Sequence, residues 1–233
     1  MNNFWPVKVL RYVSTFFVLS VIIAIVFYPG GNIHNPNQVG YSVTHNFLSD
    51  LGGYQSHSEE VNFISAFFFN MAMFLFIAVG VAFLKIHRLF SKNPVDNIIA
   101  TAGSFFFVVG TIFFAGVGLT PYDLYLDTHA FFAVNAFRLM VPASLLYFVV
   151  LLRSDVDNRY ALTTGLYLGC VVSYVIYLQF SGNPFDDAAE MVRQATIQKL
   201  IVMASVISVF SLSFAFQVQI DILSRATGES RLN

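Results

Sequence analysis

Six long apolar segments are the feature of this sequence that most limits its fold. A helix that crosses the hydrocarbon core of a membrane needs about 20 mostly apolar residues. Lipid admits only helices and closed barrels, because every backbone polar group must be satisfied within the protein, and these segments are too continuous for barrel strands. They cover about residues 10–28, 61–84, 97–119, 130–152, 160–179 and 196–220. We therefore expect an all-α integral membrane protein, a single six-transmembrane-helix bundle over residues 1–233.

The composition supports a membrane protein and argues against a nucleic-acid partner. Of the 233 residues, 57% are hydrophobic and 11% are charged, whereas soluble domains carry about 25% charged residues. The net charge is -1, without the basic excess of nucleic-acid-binding proteins. Lys8 and Arg11 precede the first apolar segment as in a signal peptide, but no small-x-small cleavage site follows. We expect this segment to be retained as the first helix.

Basic residues in the connections predict the orientation of the bundle. No Lys or Arg occurs between Arg11 and Lys85, or between Lys92 and Arg138. The residues that flank the other connections are Lys8, Arg11, Lys85, Arg88, Lys92, Arg153, Arg159, Arg225 and Arg231. Because Lys and Arg accumulate in cytoplasmic loops, we expect an N-in/C-in topology in the cell inner (plasma) membrane. The outward connections are then about 29–60, 120–129 and 180–195.

The first outward connection contains an unusually polar stretch, "YSVTHNFLSDLGGY" at 41–54. If residues 42–51 form a helix, Asn46, Ser49 and Asp50 share one face, and apolar residues occupy another. The double glycine that follows would end such a helix with a C-cap. The stretch therefore predicts a short interfacial or re-entrant helix whose polar side faces the bundle.

A second polar cluster, "GVGLTPYDLYLDTH" at 116–129, lies on the same predicted side. Together the clusters predict a polar pocket formed by His45, Ser49, Asp50, Asp123 and His129. Carboxylate and imidazole groups suit zinc or another divalent ion, and the metal-ligand candidates are His45, Asp50, Asp123, Asp127 and His129. Without a metal, a His–Asp pair has the chemistry of a general base toward Ser49 or water. No H-x-x-x-H, H-E-x-x-H or G-x-S-x-G spacing accompanies these residues.

A plainer interpretation of both clusters stays open. Thr120 to Asp123 has the pattern of an ordinary helix start, with Thr as the cap, Pro first and Asp in the first turn. Ser49 and Asp50 are also common turn residues. In this interpretation the polar groups hold the outward loops together by hydrogen bonds and bind nothing.

Three further residues are candidates for contact with a lipid headgroup. Arg138 lies deep in the fourth segment, where a charge is costly and marks a functional candidate; the alternative is a structural pairing with Asn70 or another polar group. Gln198 and Lys199 lie early in the sixth segment and have the chemistry to meet a phosphate. Lys199 could equally extend to the membrane interface.

Small residues at four-residue spacing in the fifth segment predict a close helix contact. Gly165, Gly169 and Ser173 share one helix face, and such rows let another helix approach closely. The partner is either a helix of the same bundle or a second copy of the chain.

The two polar motifs resemble those of a known family. "HNFLSDLGG" followed after two spans by "GVGLTPYDLYLDTH" resembles the prokaryotic six-helix membrane-protein family called domain of unknown function 998. It is more distantly similar to the eukaryotic Frag/DRAM/Sfk membrane proteins, which have an S-D-x-G motif in the first outward loop. The chain departs from that pattern in having Leu51 between the Asp and the Gly. The matching positions are Asn46, Ser49, Asp50, Gly52, Pro121, Asp123 and His129. The resemblance implies proximity to lipid and no particular reaction. The zinc hydrolases of the alkaline ceramidase and adiponectin receptor group are a poorer match, because their closing H-x-x-x-H is missing here.

The sequence thus favours an outward-facing polar pocket that handles a membrane lipid or its headgroup, and leaves open whether the protein is an enzyme. The alternative is a non-catalytic scaffold, or a subunit of a larger membrane complex. A transporter is less favoured, because transporters use helices broken at mid-membrane, and Pro142 is the single mid-span proline.

Overall fold

Six helical segments long and apolar enough to cross a membrane make up most of the protein. The computed structural model describes residues 3–229, so Arg231 lies outside the described residues. Its α-helices are α1 Leu10–Phe27, α2 Phe63–Phe74, α3 Phe76–Ile86, α4 Pro94–Leu119, α5 Leu126–Arg153, α6 Asn158–Phe180 and α7 Ala188–Glu229. A π-helical stretch, Phe4–Val9, leads into α1, and a 3-10 helix, His87–Phe90, follows α3. The candidate spans are Phe4–Phe27, Phe63–Phe90, Pro94–Leu119, Leu126–Arg153, Asn158–Phe180 and Ala188–Ala226. The prediction of a six-span helical bundle is confirmed at this level.

The ends of the spans follow from local polar contacts that the apolar pattern does not reveal. Asn93 accepts hydrogen bonds from the backbone N of Val95 and Asp96 at 2.9 and 3.4 Å, which fixes the start of α4. The sixth span begins at Ala188, eight residues before the predicted start. Its first turns are helical because Glu190 is buried there and accepts hydrogen bonds from its neighbours.

Aromatic rings fill the core between the helices. Phe83 stacks on Phe107 with the ring centroids 3.8 Å apart, and Tyr147 is fully buried beside them. The hydroxyl of Tyr147 lies 2.6 Å from that of Ser104, so the one polar atom of this ring is satisfied. Large apolar side chains such as Val26, 71% exposed, cover the outside of the bundle, as expected of a surface that faces lipid.

The two ends of the bundle differ in chemistry. At one end, three connections meet, which cover residues 28–62, 120–125 and 181–187. Asp123 accepts hydrogen bonds from the first of them, and Nε2 of His34 lies within hydrogen-bond distance of the carbonyl O of Pro184 in the third. We call this the loop end. At the other, the basic end, the Nζ of Lys85 lies 4.9 Å from the ring centroid of Trp5 and Arg153 pairs with Asp96. The basic residues that predict the cytoplasmic side therefore collect at one end.

The first loop-end connection is a hairpin followed by a short 3-10 helix. Strand β1, Gly30–Asn32, pairs antiparallel with β2, Asn35–Val39, and the 3-10 helix covers Leu48–Gly52. The prediction of a helix over 42–51 is therefore wrong in extent. Residues 43–46 form a turn and a bend. The backbone N of Asn46 still donates to the carbonyl of Ser42, but Phe47 is extended and its N donates to the Asp50 carboxylate and not to a helical carbonyl.

The double glycine serves close packing and does not cap a helix. Gly53 has φ -65 and ψ 148, so the left-handed cap is not formed. A Cβ on Gly52 would lie 2.5 Å from Oδ1 of Asn70, and one on Gly53 would lie 2.6 Å from Cε1 of Tyr122. These glycines let the loop lie directly against α2 and the connection between α4 and α5.

The predicted small-residue face of α6 is divided between two environments. A Cβ on Gly165 would lie 2.9 Å from Cε2 of Phe148, so this position packs against α5 within the bundle. Gly169 has nothing within 4 Å, and Ser173 is exposed. The close contact inside the bundle is thus made at Gly165 alone.

Candidate functional site

Asp50 is a buried carboxylate with one oxygen committed to the loop. Its Oδ2 accepts hydrogen bonds from Nδ2 of Asn46 and from the backbone N of Phe47, both at 3.0 Å. Nε2 of His57 lies 3.4 Å from the same oxygen. Within residues 3–229, no group donates a hydrogen bond to Oδ1. One lobe of the carboxylate is therefore available to a ligand.

Asn46 joins Asp50 to the hairpin. Its Nδ2 also donates to the carbonyl of Gly31 at 2.8 Å, and its Oδ1 accepts from Nε2 of Gln38 at 2.7 Å and from the N of Ser42 at 3.0 Å. The amide is completely buried and its donors and acceptor are all used. Asn46 thus holds the loop in place and has no group left for a ligand.

Asp123 fixes one connection to another. Its Oδ1 accepts from the N of Tyr54 at 3.0 Å and its Oδ2 from the N of Gln55 at 2.9 Å. Residues 122–124 form a turn, and α5 begins only at Leu126, so the interpretation of this motif as an ordinary helix start is wrong. The contacts of Asp123 support the other part of the plainer interpretation, in which this residue holds the outward loops together by hydrogen bonds.

His129 presents an acceptor nitrogen to the interior. It is 7% exposed, and its Nδ1 lies 2.7 Å from the carbonyl O of Thr120. Because a carbonyl only accepts, Nδ1 carries the proton and Nε2 of the neutral ring is an acceptor. In the described chain no group donates a hydrogen bond to Nε2.

Asp50 and His129 line one cavity at the loop end, with a volume of about 180 Å³. We call it the loop-end cavity. Its polar lining residues are Ser49, Asp50, His57, Tyr122, His129, Tyr174, Gln194 and Gln198. Apolar side chains, among them Phe137 and Leu178, complete its wall.

A second cavity of about 80 Å³ lies deeper between the helices. We call it the inner cavity. Its lining is mainly apolar: Phe17, Leu48, Phe69, Met73, Phe76, Val79, Phe107, Phe114, Val117, Ala133, Phe137, Met140, Val202, Val206 and Val209. It also includes Ser49, Thr111, His129, Tyr167, Gln198 and Ser205.

The two cavities adjoin at a shared wall. Ser49, His129, Ala133, Phe137 and Gln198 line both. The Oε1 of Gln198 accepts from the N of Leu48 at 2.7 Å, while its Nε2 and the Ser49 hydroxyl make no hydrogen bond within residues 3–229. A polar boundary therefore separates a mixed cavity from an apolar one.

The structure gathers only part of the predicted pocket. Ser49, Asp50 and His129 lie around one cavity, and Asp123 is tied to the loop backbone beside it. His45 is exposed, with its Nδ1 2.9 Å from Oγ1 of Thr44, and it borders a separate surface cleft. Its place in the loop-end cavity was predicted from a helix over 42–51 that does not form.

The predicted metal ligands do not form a centre. Among residues 3–229, no group of three or more His, Cys, Asp or Glu side chains is placed to hold a metal ion. Asp127 is exposed in the first turn of α5, and both oxygens of Asp123 accept backbone hydrogen bonds. The described residues therefore do not assemble the predicted metal-ligand set.

The two cations among the predicted headgroup residues, Arg138 and Lys199, do not line the cavities. Arg138 is exposed on the outside of α5, and its Nη1 lies 3.4 Å from Oδ1 of Asn135. It therefore does not form the predicted alternative pairing with Asn70. Lys199 points under the hairpin, where Nζ donates to the carbonyls of Asn46 and Ala195. Of the three predicted residues, Gln198 alone lines the cavities.

His57 and Tyr122 line the loop-end cavity but are missing from the predicted pocket. The centroids of the two rings lie 5.1 Å apart. His57 therefore packs against Tyr122 while its Nε2 contacts Oδ2 of Asp50. Gly31 makes room for this loop, since a Cβ there would lie 2.4 Å from the His57 backbone. The sequence offers no motif that pairs a histidine seven residues on with Asp50, so local spacing could not have revealed the contact.

Three tyrosines beside Asp50 stay neutral at ordinary pH. Burial raises the pKa of Tyr28, Tyr41 and Tyr122 well above the usual value, and the negative charge of Asp50 raises each further. The phenol of Tyr28 lies 3.4 Å from the carbonyl O of Gly31. These rings surround the carboxylate with neutral groups, and among the described residues Asp50 is the one Asp or Glu that lines the loop-end cavity.

Comparison with known proteins adds no assignment to this geometry. No family model, no curated protein and no solved structure matches the chain. The resemblance of its motifs to domain of unknown function 998 and to the Frag/DRAM/Sfk proteins therefore stays a prediction.

Proposed function

We propose that this multi-pass membrane protein binds a membrane lipid, with the polar end in the loop-end cavity and the adjoining part of a hydrocarbon chain in the inner cavity. The observation that carries the proposal is the shared wall of Ser49, His129 and Gln198 between a cavity with polar groups and an apolar one. An amphiphile is the class of ligand that needs both environments in contact. Ligand sites are commonly mainly apolar with a few placed polar groups, which is the character of this pair.

Displacement of one side chain, Val206, would connect the inner cavity to the outside of the bundle. Val206 lines the inner cavity and also a groove between α1 and α7 that holds Ser14, Thr15 and Phe210. Only this side chain is common to the two spaces. A chain could therefore enter sideways from lipid, without passing the polar connections.

The orientation proposed for the protein places the loop end outward in a cell inner membrane. Lys8, Lys85, Arg88 and Arg159 lie at the basic end, and Lys and Arg favour the cytoplasmic side. The lipid would then be bound from the outer leaflet.

A second candidate function, a non-catalytic scaffold or subunit, is favoured by the contacts of Asp123. Both of its oxygens are occupied by the amides of Tyr54 and Gln55, as expected of a residue that only joins loops. Gly169 and Ser173 leave an open small-residue face on α6 to which another subunit could pack. The two functions differ in whether the inner cavity holds a ligand.

Photolabelling separates these functions. The purified protein in phosphatidylcholine nanodiscs would be exposed to single-chain lipids with a photoreactive chain and neutral, anionic or cationic heads. We expect saturable labels on Phe114, Phe137 and Val202, which line the inner cavity. Labels confined to lipid-facing residues such as Met203, and not displaced by unlabelled lipid, would leave the scaffold function.

A further inference from the structure

We infer that the lipid bound in these cavities is an uncharged, hydroxyl-bearing amphiphile with a single hydrocarbon chain, of the monoacylglycerol or long-chain alcohol class. The inference rests on the proposed function and adds the chemistry of the ligand. It contradicts the expectation of a phosphate headgroup that the sequence raised from Arg138, Gln198 and Lys199.

The charge of the wall excludes an anionic head. Within the described chain, no Lys or Arg lines either cavity, while Asp50 is buried at 3% exposure. A phosphate would therefore lose its hydration beside a carboxylate, and the one described cation that interacts with Asp50, Lys199, lies outside both cavities and already donates to the carbonyls of Asn46 and Ala195. Burying an unpaired charge is among the costliest changes in a protein interior.

The free polar atoms match a hydroxyl. Oδ1 of Asp50 and Nε2 of His129 are acceptors without a donor, Nε2 of Gln198 is a donor without an acceptor, and the hydroxyl of Ser49 can do either. A hydroxyl donates one hydrogen bond and accepts others. An ammonium group donates only, so it would leave the Gln198 donor unmatched.

The carboxylate of Asp50 also has a partner within the protein, the ring of His57. Nε2 of His57 lies 3.4 Å from Oδ2 and is buried without a hydrogen bond. This ring and the donors from Asn46 and Phe47 already surround that oxygen. A cationic head would have to compete with them.

The inner cavity limits the ligand to one chain. It is a space of about 80 Å³ lined by residues of helices α1 to α7 and closed at its polar end by Ser49, His129 and Gln198. Because a cavity of about 150 Å³ holds one benzene ring, this space has room for only a part of one chain, and the rest of the chain would extend past Val206 into the groove between α1 and α7. A diacyl lipid would leave its second chain in the loop-end cavity, against polar groups.

Competition among three lipids with similar chains tests the inference. In phosphatidylcholine nanodiscs, 1-oleoylglycerol, 1-oleoylglycerol 3-phosphate and oleylamine would compete for the photolabelling of Phe137 and Val202. We expect 1-oleoylglycerol to displace the label at a mole fraction lower by about tenfold or more than either charged lipid. Stronger competition by the phosphate or by the amine overturns the inference but leaves lipid binding in place. Absence of any displaceable label overturns the proposed function itself.

A substitution of the carboxylate gives an independent measure. Asp50→Asn removes the charge at the same size, so we expect the disadvantage of the phosphate lipid to shrink by about tenfold. The matched control, Asp155→Asn in an exposed connection of the basic end, should leave the ranking unchanged. A ranking that is the same in both variants overturns the role of Asp50, and if Asp50→Asn does not fold, the ranking on the natural chain decides.

Discussion

Nε2 of His57 lies 3.4 Å from Oδ2 of Asp50. The same oxygen accepts hydrogen bonds from Nδ2 of Asn46 and from the backbone N of Phe47. Three groups from different parts of the first connection therefore converge on one carboxylate oxygen. This arrangement leaves Oδ1 toward the loop-end cavity. It makes Asp50 both a structural centre of the loop end and the charged group of the proposed lipid site.

Replacing Asp50 by Ala should destabilise the protein. The backbone N of Phe47 would lose its acceptor in a buried place, and an unsatisfied buried group costs about 1–3 kcal/mol. The free energy of unfolding in mixed micelles measures the effect. Asp155→Ala is the control, because exposed substitutions change stability by about 0.5 kcal/mol or less. Equal stability of the two variants would contradict the proposed loop network.

Asp123→Ala should loosen the first connection without unfolding the bundle. The amides of Tyr54 and Gln55 would lose their acceptors, so their hydrogen exchange should become faster. Asp127→Ala, an exposed neighbour without these contacts, serves as the control. Unchanged protection of both amides after Asp123→Ala would show that the carboxylate does not hold the connection.

Raised tyrosine pKa values should make stability fall at high pH. Tyr28, Tyr41 and Tyr122 keep their protons in the folded protein above the pH at which they lose them when unfolded, near 10. Because the folded state then binds more protons, these groups stabilise it fully below that pH and their contribution declines as pH rises further. Absorbance at about 295 nm would follow the phenolate, which absorbs there in contrast to neutral tyrosine.

The same titration tests the influence of Asp50. In Asp50→Asn the charge that raises these pKa values is removed, so the late-ionising tyrosines should titrate at lower pH than in the natural chain. An identical titration curve in both proteins would mean that burial acts alone.

Gly52→Ala should cost stability, while Gly169→Ala should not. A Cβ at Gly52 would lie 2.5 Å from Oδ1 of Asn70 and 2.7 Å from Cδ1 of Phe69, and overpacking of this kind costs about 1–3 kcal/mol. Gly169 faces open space, where Ala adds up to about 1 kcal/mol to helix stability. Unfolding in mixed micelles compares the two variants. A Gly169→Ala protein that changes its oligomeric state would indicate that a second copy packs on this face.

Much of the fold could be predicted from the sequence, and less of the site. The spans follow from local composition, because lipid requires about 20 apolar residues in each helix. The stretch at 41–54 could not be predicted in the same way, since its conformation depends on Gln38, Gly31 and His57, which lie outside any helical spacing. Arg138 was predicted to contact a headgroup because it lies deep in a span. Depth along a helix does not determine whether a side chain faces the bundle or the lipid, and Arg138 is exposed on the outside.

Photolabelling of the inner cavity in two neighbouring Trp variants tests the central claim most directly. Val202 lines the inner cavity, whereas Met203, the next residue of α7, is 56% exposed on the outside. We expect Val202→Trp to remove the displaceable label on Phe114 and Phe137 while the protein stays folded, and Met203→Trp to retain it. A label of the same strength and displacement in both variants would contradict lipid binding in the inner cavity.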